Sequence, residues 1–246
     1  MRDEPPAPVG GSSRFRDLVL LPPSEGKAAG GRGRWSPDTG AFAELADERA
    51  RVVAAYASTI GRDAERVVGT SGPIAERARH AAAALAAGSA PALPAHRRFT
   101  GVVWEHLHPA DLPAPARRRA IVVSGLCGLL TANDPVPDHR LKLSVRLDDV
   151  GRLDRYWRPI LTDALARHAK RRPVWDLLPK EHAAAVDLAG LRVVRVRFEG
   201  ASGHDAKAVK GAFARAVLLG GRDVVDSFTF GTWRAAWDGP EAVISL

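Results

Sequence analysis

The chain has a single cysteine, Cys127, in 246 residues. No disulfide can form within it, and a reducing compartment, the cytoplasm, is the expected location. Lysine is also scarce: six, at 27, 142, 170, 180, 207 and 210, among 36 basic residues. The eight histidines are scattered, with His106 and His108 as the one close pair and no zinc-finger spacing, so no metal and no cofactor is expected. No apolar run approaches the roughly 18 residues of a membrane span. The amino terminus, Arg2-Asp3-Glu4-Pro5-Pro6, does not read as a signal sequence, so a soluble, non-exported chain without a membrane partner is expected. Nucleophile motifs are missing as well: Cys127 has no local base signature, and Ser24 sits in no nucleophile elbow.

What is present is a chain that is 46% hydrophobic, ample for a substantial core, with a formal net charge of +8. Such charge favours polyanions, either duplex DNA or a nucleotide-like anionic ligand, although the excess of Arg over Lys also fits the codon bias of a GC-rich genome. The sequence sets no oligomeric state.

The organising stretch is Leu18-Val-Leu-Leu-Pro-Pro-Ser-Glu-Gly-Lys27. Four consecutive aliphatic residues read as a short strand buried on both faces. Pro22 and Pro23 end its ladder, which leaves Ser24, Glu25 and Lys27 at the strand's carboxyl end, where ligands sit in open α/β sheets. The alternative is a solvated loop pair with Gly26 at a turn.

Taken in order, residues 1–14 read as a disordered lead-in and 28–34 as a mobile basic loop without Walker spacing. A helix is expected from Phe42 to Tyr56, and a short one from Arg62 to Val68. Gly69-Thr-Ser-Gly72 and a helix opening at Pro73 then form either a plain corner or a candidate helix-hairpin-helix, its glycines two residues apart instead of one. In the second case Gly69, Gly72, Arg77 and Arg79 are the DNA-binding candidates.

Residues 88–98 read as a linker, and Ala120–Ser124 as a second buried strand that delivers Ser124 to a glycine turn. His139 to Arg146 alternates like a strand, with Arg140 and Lys142 on its charged face. A helix follows from Tyr156 to Lys170, then a strand at 173–178, one at 191–198, and a helix near Asp205 that carries Lys207, Lys210 and Arg215. This succession predicts an α/β fold: a single compact domain over 15–246 with a mixed β-sheet flanked by helices.

Six segments in register resemble the YaaA family of peroxide stress proteins: Pro-Pro-Ser-Glu-Gly-Lys at 22–27, Ser-Gly-Leu-x-Gly-Leu-Leu at 124–130, His-Arg-Leu-x-Leu at 139–143, Tyr-Trp-x-x-Ile-Leu at 156–161, Asp-Leu-x-x-x-Glu at 176–181 and Lys-x-x-Lys-Gly-x-x-x-Arg at 207–215. The resemblance covers about residues 17–240. It implies a compact α/β domain that binds duplex DNA through a helix-hairpin-helix and limits damage under peroxide, with iron handling involved. The chain departs from the family at Cys127, His139 and His182, where the family often has Tyr, and at Lys142, where it has an acid. Leu130-Thr131 also replaces a family Arg.

Two function classes follow. The first is a DNA-binding stress protein whose affinity falls steeply with salt. The second is an enzyme on a nucleotide, nucleobase or similar anion. Its tentative acid–base residues are Glu25, Lys27 and Glu181, with Ser24, Ser124, Arg140, Lys207, Lys210 and Arg215 binding the substrate.

Overall fold

The computed structural model describes residues 16–200 and 202–246. The lead-in expected over 1–14 lies outside them. Leu18–Leu21 is a strand with every residue fully buried, each side chain contributing roughly 1.5–3 kcal/mol of hydrophobic stabilisation. It lies inside an eight-stranded sheet, hydrogen-bonded in parallel to Ala120–Ser124 on one side and Val174–Asp176 on the other. Val193–Phe198 and Glu241–Ser245 extend the parallel part. Antiparallel hairpins close both edges: Gly128–Thr131 on Ala120–Ser124, and Trp233–Asp238 with Thr229–Phe230 beyond Glu241–Ser245. The fold is therefore α/β with a mixed sheet in one compact domain.

The order of these strands positions the site. From Ala120–Ser124 the chain forms its edge hairpin and then crosses to the opposite side of Leu18–Leu21, where it becomes Val174–Asp176. The carboxyl end of Leu18–Leu21 is thus a topological switch point, with loops leaving to both sides. Two fully buried tryptophans hold those loops. Trp104 Nε1 donates to Pro22 O at 3.1 Å, and Trp157 Nε1 donates to Gly125 O at 2.9 Å. An indole buried with its N–H on a loop carbonyl joins apolar burial to a fixed backbone position.

Three local expectations are corrected. The 28–34 segment is not a mobile loop: Gly33–Arg34 pairs with Pro91–Pro94, and the fully buried Arg98 donates to the carbonyls of Ala28, Gly30, Pro91 and Val136. The 88–98 linker is instead that strand, Pro91–Pro94, followed by the helical turn Ala95–Arg98. Its partner on the other side is Pro135–Pro137. Prolines at the first and last positions of Pro91–Pro94 and Pro135–Pro137 concealed both strands from a composition argument.

The third correction is 139–146, which alternates but does not pair; only Arg146–Leu147 is a strand. Its carbonyls are taken by the next helix, with Asp154 N donating to Leu143 O at 2.9 Å and Leu153 N to Val145 O at 3.0 Å. The facing was nevertheless legible, since His139, Leu141 and Leu143 are buried and Lys142 is exposed.

The helices fall near their expected places, at Ala46–Arg62, Ala64–Val68, Pro73–Ala86, Leu153–Ala169 and Gly203–Gly220. Between the second and third, Gly69 and Gly72 have φ of 77° and 70°, the left-handed region that other residues enter at a cost. The helix before this turn is five residues long.

Candidate functional site

A cleft of about 310 Å³ opens at the carboxyl end of the central strand. Ser24, Glu25 and Lys27 form one wall, the Arg140–Leu143 run another, and Glu181 with His182 a third. The fourth comes from the glycine turn, through Val68, Thr70 and Ile74.

Ser24 is 6% exposed, and its Oγ has no hydrogen-bond partner among the described residues. Its place depends on Gly101, where a Cβ would sit 2.3 Å from that oxygen. Lys27 is half-buried; its amine donates to Ser24 O at 2.8 Å and lies 5.8 Å from the Phe99 ring centre. Desolvation and then the Arg140 cation push its pKa down to about 8.

Neither nearby acid pairs with Lys27. Glu25 Oε1 is 2.8 Å from Lys142 Nζ, and Asp138 Oδ2 accepts from Arg77 Nε at 2.9 Å and Nη2 at 2.7 Å. Glu25 has a side chain 82% exposed, and the Lys142 hydrogen bond holds its carboxyl below the usual range. It is an ionised rim carboxylate. Arg140 Nη1 donates to Glu25 O at 2.6 Å, while its Nε has no partner.

His139, 2% exposed, accepts from Leu141 N on Nδ1 at 3.3 Å. That leaves the ring proton on Nε2, which has no acceptor. Burial, then the charges of Lys27 and Arg140, keep this imidazole neutral well below its ordinary pKa. Burial likewise lowers His182, whose Nδ1 is unpartnered. Glu181 Oε1 accepts from Ser144 Oγ at 3.4 Å. The arrangement can hold an anion on Arg140 and Lys142 and meet its polar atoms with unpartnered groups on the floor. It also offers an amine with little cost to deprotonation.

The other expected residues lie elsewhere. Ser124 is fully buried at the Gly125–Gly128 turn, where its Oγ accepts from Cys127 N at 3.3 Å. Burial pushes the Cys127 thiol up to about 11. Lys207 stands outside the cleft lining but close enough to act on Glu25. Lys210 lies over the Phe198 ring at 5.3 Å, and Arg215 donates to the carbonyls of Leu107 and His108, closing a helix end. Gly69 and Gly72 flank the turn on the rim, Arg77 is held by Asp138, and Arg79 is exposed.

Three parts of the site carried no local signal. Asp138 and Gly101 act only across the fold, and His139 stood out in the sequence as part of the 139–143 segment and as a departure from family Tyr, not as a site residue. Among the described residues, no three His, Cys, Asp or Glu side chains form a metal-holding group, and no helix is long and apolar enough to cross a membrane.

A second basic depression lies away from this cleft, lined by Arg16, Arg119, Lys170, Arg171, Arg172 and Arg192. Several of its guanidinium groups are committed to backbone carbonyls, Arg119 to Asp17 O and Arg192 to Arg171 O.

The sheet and cleft together define an α/β protein with a cleft at a switch point, lined by Lys27, Arg140 and Lys142. Residues 18–228 match the family model described as Peroxide stress protein YaaA, and the chain belongs to that family. It is 34% identical over 222 residues to a UPF0246 protein of Streptomyces coelicolor, covering 83% of this chain and 84% of that one. A UPF0246 protein of Corynebacterium glutamicum is 30% identical over 214 residues, covering 82% and 85%.

Proposed function

We propose that this chain acts in the cytoplasm as a peroxide stress protein that binds duplex DNA without sequence specificity and limits oxidative and iron-linked damage. The observation that carries the reading is the placement of the glycine turn. Val68 and Ile74, which bracket Gly69 and Gly72, and Thr70 between the two glycines line one cleft with Lys27, Arg140 and Lys142. A phosphate on the backbone N–H groups of this turn would leave the adjoining nucleotide unit at the mouth of the cationic cleft. Ile74, 49% exposed at the rim, offers apolar contact to a base or sugar.

A second reading, an enzyme on a nucleotide, nucleobase or similar anionic small molecule, is supported by the unpartnered Ser24 Oγ and His139 Nε2 inside the same cleft.

The test is a salt titration of duplex binding by fluorescence anisotropy. Affinity on the order of micromolar is expected, with log affinity linear in log salt. Arg79→Glu should weaken binding and reduce the salt slope by about 1, whatever the duplex sequence. If binding instead follows Arg171→Glu and ignores Arg79→Glu, the duplex lies on the second basic depression and the reading of the turn is wrong.

A further inference from the structure

We propose that Lys27 is an amine nucleophile that condenses with the aldehyde of a phosphorylated sugar seated in the cleft, forming an imine. This rests on reading the cleft as a site for a nucleotide-like anion.

The geometry separates Lys27 from an ordinary anion-binding lysine. Its two neighbouring acids are committed to other cations, Glu25 to Lys142 and Asp138 to Arg77. Among the described residues no carboxylate pairs with it, and its one hydrogen bond is to Ser24 O. Arg140 stands close enough to oppose its charge. A cleft that needed Lys27 as a permanent cation would set an acid beside it; this one sets a second cation there, and the Phe99 ring 5.8 Å away is a contact that favours the charged amine. Desolvation next to another cation is the usual way of readying a lysine to attack a carbonyl. With a pKa of about 8, about a quarter of the amine is neutral at pH 7.5, against roughly one part in a thousand for an unperturbed lysine.

The remaining groups select the carbonyl compound. Ser24 Oγ and His139 Nε2, both more than nine-tenths buried and without partners, fit sugar hydroxyls or the carbonyl oxygen. Arg140 and Lys142 on the adjacent wall fit a phosphate. Bound there, an open-chain sugar phosphate would present C1 to the Lys27 amine. The nitrogen lone pair attacks C1, a C–N bond forms, and the carbonyl oxygen leaves as water with the two amine protons. Atoms balance without an oxidant or reductant. The same chemistry has two sources: a free pentose phosphate, or a sugar within duplex DNA that has lost its base.

The experiment is borohydride trapping on the full chain. Ribose 5-phosphate, and separately a duplex carrying one abasic sugar, are incubated with the protein, and sodium borohydride reduces any imine to a stable secondary amine. Peptide mapping of the wild-type chain should place the adduct on Lys27, with a mass gain of the sugar less one oxygen. Lys27→Arg, which keeps the charge, should lose it at least tenfold with the circular dichroism spectrum unchanged. Ribose without phosphate should trap at least tenfold less.

Trapping of the duplex but not the free sugar phosphate assigns the aldehyde to DNA. Trapping of ribose 5-phosphate alone keeps the imine and removes its link to DNA binding. Adducts spread over the other lysines, or none with either probe, overturn the inference even where anisotropy shows that the duplex binds.

Discussion

Arg77 and Asp138 close on each other at the edge of the cleft, Nη2 to Oδ2 at 2.7 Å and Nε to the same oxygen at 2.9 Å. Arg77 therefore pairs with an acid whose charge acts on Lys27 in the direction of a higher pKa. Arg77→Ala should raise the Lys27 pKa from about 8 towards its ordinary value, read by NMR titration of the lysine side chain. The stability cost should stay near 1 kcal/mol, because the arginine is half-exposed. An unmoved Lys27 titration would show that Asp138 does not sense the loss. Charge reversal at Arg77 perturbs the cleft, so Arg79 is the cleaner position for probing a DNA surface.

Stability should depend on pH through Lys27. Its folded pKa, about 8, lies below the ordinary 10.5, so between those values the unfolded chain binds the additional proton and stability rises with pH. Below pH 8 the full penalty applies, with an upper bound of about 3 kcal/mol. Lys27→Met removes the charge but also the bond to Ser24 O. The variant should exceed wild type at pH 7 by about 1–2 kcal/mol, and the gap should close towards pH 10.5. Urea unfolding of both proteins at several pH values checks this; a gap independent of pH would refute it.

Arg98 is a structural staple. Four carbonyls from three separate segments converge on its guanidinium, and among the described residues no carboxylate pairs with it. Arg98→Met leaves those carbonyls buried and unsatisfied and should cost about 3 kcal/mol. It should also release the 28–34 segment, so limited trypsinolysis should cut after Arg32 or Arg34 well before the wild type is cut. Equal cleavage rates would mean that the Gly33–Arg34 pairing suffices alone.

Gly101 is a glycine for lack of room and not for conformation, since its φ of −80° and ψ of 169° suit any residue. A Cβ there would stand 2.3 Å from Ser24 Oγ and 3.3 Å from Ser24 Cβ. Gly101→Ala should destabilise by about 1–3 kcal/mol and displace Ser24 from the cleft wall. Adding Ser24→Ala removes the nearer atom, and a double-mutant cycle should return a coupling of at least about 0.5 kcal/mol. Strict additivity in thermal unfolding would show that the clash is relieved elsewhere.

The sequence by itself determined the elements whose signal is local. Leu18–Leu21 and Ala120–Ser124 read as buried strands because unbroken aliphatic runs have nowhere to go but a two-sided core. The prolines after Leu21 placed Ser24, Glu25 and Lys27 at a strand end, and alternation in 139–143 put Arg140 and Lys142 on one face although no ladder forms there. Only the tertiary structure decided which of those groups share a cleft and how each is buried and paired there. The sequence offered Glu25, Lys27 and Glu181 alike as acid–base candidates; the fold leaves the Glu25 side chain 82% exposed beside Lys142 and the Lys27 amine desolvated. Ser124 has the same strand-end signature as Ser24 but points into the core. Charge state likewise follows from distant neighbours: Arg77 engages Asp138, Lys142 engages Glu25, and Lys27 is left desolvated beside Arg140. Local patterns report burial and direction, which one segment settles alone. Proton affinity and ion pairing depend on groups far apart in the chain, 61 residues for Arg77 and Asp138 and more for the other pairs, and the fold alone sets their separation in space.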